Sequence, residues 1–149
     1  MTQLHNDDIF NQVKALNLPI GKYAVIGSGV MSAYNIRTHR DIDLVVTQDL
    51  YEELKNQGWQ TKQIKPDFEV VFFGVAEASP KMVTLDNYQP NIESLINKAD
   101  IINDVAFTKL TDVIDFKRAL GREKDINDIL LIEDFLKKYP DPHTYFRAG

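Results

Sequence analysis

Asp41 and Asp43 stand two residues apart inside the apolar run DIDLVV, and an earlier apolar run, KYAVI, ends in Gly27-Ser28-Gly29. In a strand, residues two apart project to the same side. The two aspartates therefore point together, while Ile42 and Leu44 point the opposite way into a core. Neighbouring carboxylates repel, and the pair needs a cation or hydrogen-bond donors. Hard oxygen donors suit Mg²⁺ or Mn²⁺, and Mg²⁺ commonly combines few carboxylates with substrate phosphates. The plainer reading of the pair is a solvated strand end. The Gly-Ser turn offers backbone N–H groups, a hydroxyl and the start of a helix, which together can hold a phosphate. Gly27 and Gly29 would let that phosphate approach the backbone closely. Taken alone, this turn reads as an ordinary strand-to-helix connection. A phosphate cradle followed shortly by paired acids is a much more specific signal.

The elements that must position these groups can be read from pattern. Ile9, Phe10, Val13 and Leu16 share one helical face over residues 7–17, and NLPIGK ends that helix. KYAVIG reads as a buried strand. A short helix over 29–35 follows, with Ser28 placed to cap it. DIDLVV is the next strand. Leu50, Tyr51 and Leu54 then recur at helical spacing, and Gly58 is the stop. WQTKQIK, a Lys65-Pro66-Asp67 turn and FEVVFF form a hairpin, with KMVTL as a further strand candidate. After Asn91 the chain reads helical, with weak strand potential over 101–107 and helices at 111–120 and 125–138 flanking GREK. The C-terminal YPDPHTYFRAG reads as an extended tail suited to self-association.

Bulk properties narrow the function classes. With 149 residues, 44% of them hydrophobic and 26% charged, the expectation is one domain with a real core. No apolar run approaches the roughly 20 residues of a membrane span. The opening MTQLHNDDIF lacks the basic-then-apolar order of a signal peptide. The absence of cysteine excludes thiolate metal sites and fits a cytoplasmic setting. His5, His39 and His143 show no metal-ligand spacing. A net charge of -5 argues against a broad nucleic-acid surface, while leaving room for a small basic pocket.

The segments IGSGVMSAY and HRDIDLVV, with a later acid in DFEVVFF, resemble the nucleotidyltransferase superfold of the DNA polymerase β type. THRDID is similar to the small antibiotic-adenylylating enzymes. LTDVIDFKRALGREKDINDI is similar to small nucleotidyltransferase-like proteins, toxin components of toxin–antitoxin pairs included. The resemblance spans about residues 20–135. It implies an α+β fold, an α/β mixed sheet with a C-terminal helical region. Residues 1–149 would form a single nucleotidyltransferase-like domain, with a mixed α/β half at 1–90 and a mainly helical tail at 91–149. It also implies a two-ion Mg²⁺ site, with Mn²⁺ as an alternative. Gly27 and Ser28 would hold the triphosphate, and Asp41 and Asp43 would ligate the bridging metal and share the second.

Glu69 is the favoured third carboxylate, as metal ligand and proton acceptor, because it sits on the polar face between Phe68 and Val70. Asp67 shares that face nearer the turn. Were KMVTL the neighbouring strand instead, no third acid would be present, and Glu69 would be a solvent-facing strand acid. For the triphosphate, Lys117 falls inside the apolar face set by Val113, Ile114, Phe116 and Leu120. A lysine there snorkels or meets an acid or a phosphate. Arg122 and Lys124 are the second basic candidates, or a solvated helix end. Asp125 and Asp128 read as capping and pairing groups, with metal binding as the alternative. Arg37 and Arg40 steer an anion or are loop charges, and His39 reads as a loop residue.

The expectation from the resemblance is a Mg²⁺-dependent transfer of a nucleoside monophosphate from an NTP to a hydroxyl or phosphate acceptor. That acceptor is a small molecule, an RNA end or a protein, and pyrophosphate is released. The alternatives are a degenerate nucleotide- or partner-binding protein of the same fold, or a toxin whose partner is an antitoxin-like protein.

Overall fold

Alternation along residues 42–46 decides which side of the sheet is which. Ile42, Leu44 and Val46 enter the main core, whereas Asp43 and Val45 face the other way. The computed structural model describes residues 6–82, 85 and 87–147. The chain runs α1 (Asn6–Lys14), β1 (Tyr23–Ile26), α2 (Ser28–Ala33), β2 (Ile42–Val46), α3 (Gln48–Asn56), β3 (Gln60–Lys65), β4 (Phe68–Phe73) and β5 (Ala76–Ser79). It continues through α4 (Ile92–Asn97), β6 (Asp100–Ile102), β7 (Val105–Phe107), α5 (Leu110–Leu120), α6 (Glu123–Lys138) and α7 (Thr144–Arg147).

The strands form one seven-stranded sheet in the order β3-β4-β5-β2-β1-β7-β6. β2 runs parallel to β5 and β1 parallel to β7, while the other neighbours are antiparallel. This is the expected mixed α+β architecture, with helices α5 to α7 ending the described chain. The larger core includes Val25, Leu44, Val46 and Phe107 with Ile9, Leu54 and Ile132 from the helices. A smaller cluster of Ala24, Val45, Met82, Leu95 and Ile96 covers part of the opposite face. The rest of that face stays open, and Asp43 is on it.

Several local expectations change. KMVTL is not a strand at Lys81 or Met82, and Leu85 makes only an isolated bridge to Tyr88. Val83 and Thr84 lie outside the described residues. The strand falls earlier, at β5, whose short AEAS sequence carries no β-branched residue and so gives little strand signal. The C-terminal tail is not extended: α7 packs Tyr145 and Phe146 against Tyr34, burying aromatic surface that the proline-rich approach conceals. Ser28 does not cap α2; Gly27 holds the cap position and Ser28 is the first helical residue. At φ 68° and ψ −136°, Gly27 occupies backbone space that side-chain-bearing residues avoid. Gly29 is required for another reason, since a Cβ there would come within 2.6 Å of Val25 Cγ1. It sets the close packing of α2 on β1 rather than room for a ligand.

Candidate functional site

The antiparallel pairing of β1 and β2 puts Ile26 opposite Asp43, so Gly27 and Ser28 emerge beside the acids. The parallel pairing of β2 with β5 aligns Asp43 with Glu77 and Val45 with Ser79. Cross-strand partners share a face, so Glu77 joins Asp43 on the open side. Asp41 immediately precedes β2 and lines the same cleft as Asp43. That cleft, of about 670 Å³, is bounded by Ser28, Arg37, Arg40, Asp41, Asp43, Lys124, Asn127 and Asp128. The cleft thus brings unpaired acids together with cations and a hydroxyl.

Glu69 does not join the acids. Along β4, Phe72 pairs with Glu77, so Phe68, Val70 and Phe72 share the open face and Glu69 points to the opposite one. There it accepts a hydrogen bond from the Tyr51 hydroxyl and pairs with Lys55 at 3.4 Å, both on α3. The Tyr51 hydrogen bond, and Lys55 after it, outweigh partial desolvation and hold the Glu69 carboxyl below its ordinary range. Asp67 is exposed beyond the strand, where its backbone carbonyl accepts a hydrogen bond from Lys81. Glu77 was missed because β5 was missed. The alternation of Ala76, Glu77 and Ala78, with both alanines buried, was the available signal.

The acids on the open face are not neutralised. Among the described residues, the carboxylates of Asp41, Asp43 and Glu77 have no hydrogen-bonded or ion-paired partner in the fold. Asp43 is exposed on the open face, yet the protein around it removes part of its hydration. That loss, followed by repulsion from Glu77 and Asp41, pushes its pKa up to about 6 despite the pull of Lys117. No three histidine or acidic side chains among the described residues form a ready-made metal cage. The arrangement fits a hard cation held by one or two carboxylates and completed by substrate oxygens.

The basic candidates separate. Lys117 is buried on α5 and pairs with Asp128 at 2.8 Å and Asp125 at 3.8 Å, so it meets an acid. Arg122 turns onto Asp125, whose carboxylate also accepts from the Arg122 backbone N–H. Neither lines the cleft, whereas Lys124 does. Arg37 contributes more than a loop charge. Its Nε and Nη2 donate to the two oxygens of Asp128 at 2.8 and 2.9 Å, and Nη2 also reaches Ser28 Oγ at 3.3 Å. Burial pushes the Asp128 carboxyl up, but hydrogen bonds from Arg37 and Lys117 prevail and its pKa is lowered. Asp125 behaves alike under Arg122 and Lys117. His39 bridges Ser32 and Gln12 at 2.8 and 2.7 Å.

The chain matches no protein-family model and no curated protein sequence. Among solved structures, one similar chain is ANT(2")-Ia in complex with adenylyl-2"-tobramycin. It aligns over 95% of this chain and 94% of its own, at 17% identity and a TM-score of 0.49. A likeness at that level assigns neither an activity nor a substrate. No helix among the described residues is long and apolar enough to cross a membrane.

Proposed function

We propose that the chain is a divalent-metal-dependent nucleotidyltransferase, a single domain of the superfold its sequence motifs resemble. The observation that carries this reading is the unpaired carboxylates of Asp41 and Asp43 in one cleft with Ser28, Arg37, Arg40 and Lys124, with Glu77 beside Asp43 on the neighbouring strand. A metal-bound triphosphate matches such a cleft, because its metal meets acids while its phosphate oxygens meet cations and a hydroxyl.

In this reading Asp41 and Asp43 would hold Mg²⁺ or Mn²⁺, and Glu77 would replace Glu69 as the third acid. The bound ion would neutralise phosphate charge and orient the triphosphate for in-line displacement. Ser28 and the Gly27 turn contact phosphate oxygens. α2 has only six residues, so the hydroxyl and nearby cations matter more than a helix dipole. Arg40 and Lys124 neutralise the outer phosphates. Lys117 acts at one remove, fixing Asp128 and hence Arg37. Arg122 does the same through Asp125 at the start of α6. Glu77 accepts the proton of the acceptor hydroxyl as its oxygen bonds to the α-phosphorus. The bond from that phosphorus to the α–β bridging oxygen breaks, and pyrophosphate departs.

The test is Mg²⁺-dependent pyrophosphate release from each of the four NTPs with pooled hydroxyl acceptors. Release by the native chain and its loss in the Asp41→Ala, Asp43→Ala double variant are expected. Equal release by both proteins contradicts the assignment.

A further inference from the structure

Asp43 belongs to two cavities. Besides the cationic cleft it lines a second lobe of about 230 Å³, with Glu77, Ser79 and Lys81 among its polar groups. The remaining walls are mainly apolar and include Ile26, Ile64, Phe68, Val70, Met82 and Phe116. Phe68 and Phe116 are half-buried, and Tyr88 packs against Phe116 with ring centroids 5.6 Å apart. The aromatic face is therefore held in place yet open on the lobe side. Glu77 lines this lobe and not the cationic cleft.

We infer that this lobe is the acceptor subsite, and that the acceptor is an uncharged, flat, apolar ring compound bearing a hydroxyl, not a polycation or a nucleic-acid strand. The inference rests on the transfer reading above. A hydroxyl that gives its proton to Glu77 must lie at Glu77, and its molecular body then occupies the lobe that Glu77 lines. The larger cleft has the volume and the cations for the nucleotide. With Asp43 on the metal and Glu77 on the reacting hydroxyl, further ammonium groups in the lobe would lose water against Ile26, Met82 and the two phenylalanines without a carboxylate left to compensate them. A ring instead gains burial and stacking there. The lobe's lysine, Lys81, is exposed and donates to the Asp67 carbonyl; its hydrated charge disfavours ammonium groups nearby and makes no buried anion site.

2-Naphthol is a suitable fluorescent probe, a flat neutral molecule with one hydroxyl. Saturable binding to the native protein is expected, and Ile64→Asp should weaken it by about tenfold or more, through a carboxylate set at the lobe's rim. Ile64 is 41% exposed, so the substitution leaves the core intact. Phe68→Ala, which removes one aromatic wall, serves as the second variant. In turnover, both variants should raise the KM for naphthol while the KM for the NTP stays within about twofold, below 0.5 kcal/mol. Absence of naphthol binding, displacement of naphthol by tobramycin, or an equal rise in the KM for NTP would each overturn the inference. The last result would place the nucleobase in the lobe. Naphthol binding that Ile64→Asp weakens, without any metal-dependent pyrophosphate release, would support the lobe and refute the transfer reading instead.

Discussion

Two acidic clusters border one cleft, and they have opposite fates. On α6, Asp125 and Asp128 are buried and surrounded by Arg37, Lys117 and Arg122, and their pKa values are lowered. On the sheet, Asp41, Asp43 and Glu77 have no paired cation, and Asp43 is raised. The α6 pair is buried, whereas Asp41 and Asp43 are exposed and Glu77 is half-buried. The clusters differ further in whether the fold supplies the counter-charge. The α6 cluster is a finished internal salt bridge that joins α5, α6 and the residues after α2. The sheet cluster carries an electrostatic cost that the fold leaves uncompensated, as expected of a site whose counter-ion arrives with its ligand.

The difference can be broken from either side. The largest effect is expected from the double variant Asp41→Ala, Asp43→Ala, which should reduce transfer by at least about a thousandfold, roughly 4 kcal/mol of lost charge stabilisation. Thermal melts of that variant without metal should show an unchanged or slightly more stable protein, because repulsion is relieved. Asp128→Ala should do the reverse. It leaves Lys117 buried with only the longer Asp125 contact and should cost about 3 kcal/mol of stability by urea unfolding. That corresponds to roughly 6–12 °C in Tm for a chain of this size. Release of Arg37 from its fixed position should also raise the KM for NTP.

pH separates the clusters next. Asp125 and Asp128 have folded pKa values below their unfolded ones. Their stabilisation is therefore present above the unfolded carboxylate value of about 3.9 and lost as pH falls through the lower folded values. Asp43 has the opposite sign: ionising it between about pH 3.9 and 6 disfavours the metal-free fold. Chemical denaturation across pH 3 to 7 on native and Asp128→Asn proteins should show a smaller acid-induced loss in the variant. The smallest effect on stability is expected for Glu77→Gln. Removing that neighbouring charge should lower the Asp43 pKa from about 6, read by carbon-13 titration of the carboxyl, and stabilise the metal-free protein by about 1 kcal/mol or less. No movement of the Asp43 titration would mean that Glu77 is not its electrostatic neighbour.

Much of this comparison is legible in residue order, because near neighbours in sequence set it. Period-two alternation brings Asp41 and Asp43 to one side, and Gly27-Ser28 follows directly from β1. The placement of Lys117 on an apolar helical face calls for an acid or phosphate partner, but that Asp125 and Asp128 are that partner emerges only from the packing of α5 on α6. Local pattern does not reveal which strand lies beside β2. That choice is made by long-range pairing, and β5 has too little β-propensity to announce itself between Gly74 and Pro80. Glu69 looks suitable within its own strand, but it faces α3 because the register of β4 against β5 assigns its odd-numbered residues to the other side. The bidentate link from Arg37 to Asp128 crosses 91 positions and leaves no sequence signature.

The central claim is that the sheet acids receive an external cation with the nucleotide and the α6 acids do not. Anomalous diffraction from crystals soaked with Mn²⁺ and a non-hydrolysable NTP measures this directly. The account predicts manganese bound by Asp41 and Asp43 on the Glu77 side of the cleft, with triphosphate oxygens near Ser28. Manganese at Asp125 and Asp128, or nucleotide bound with no manganese at Asp41 and Asp43, would contradict it.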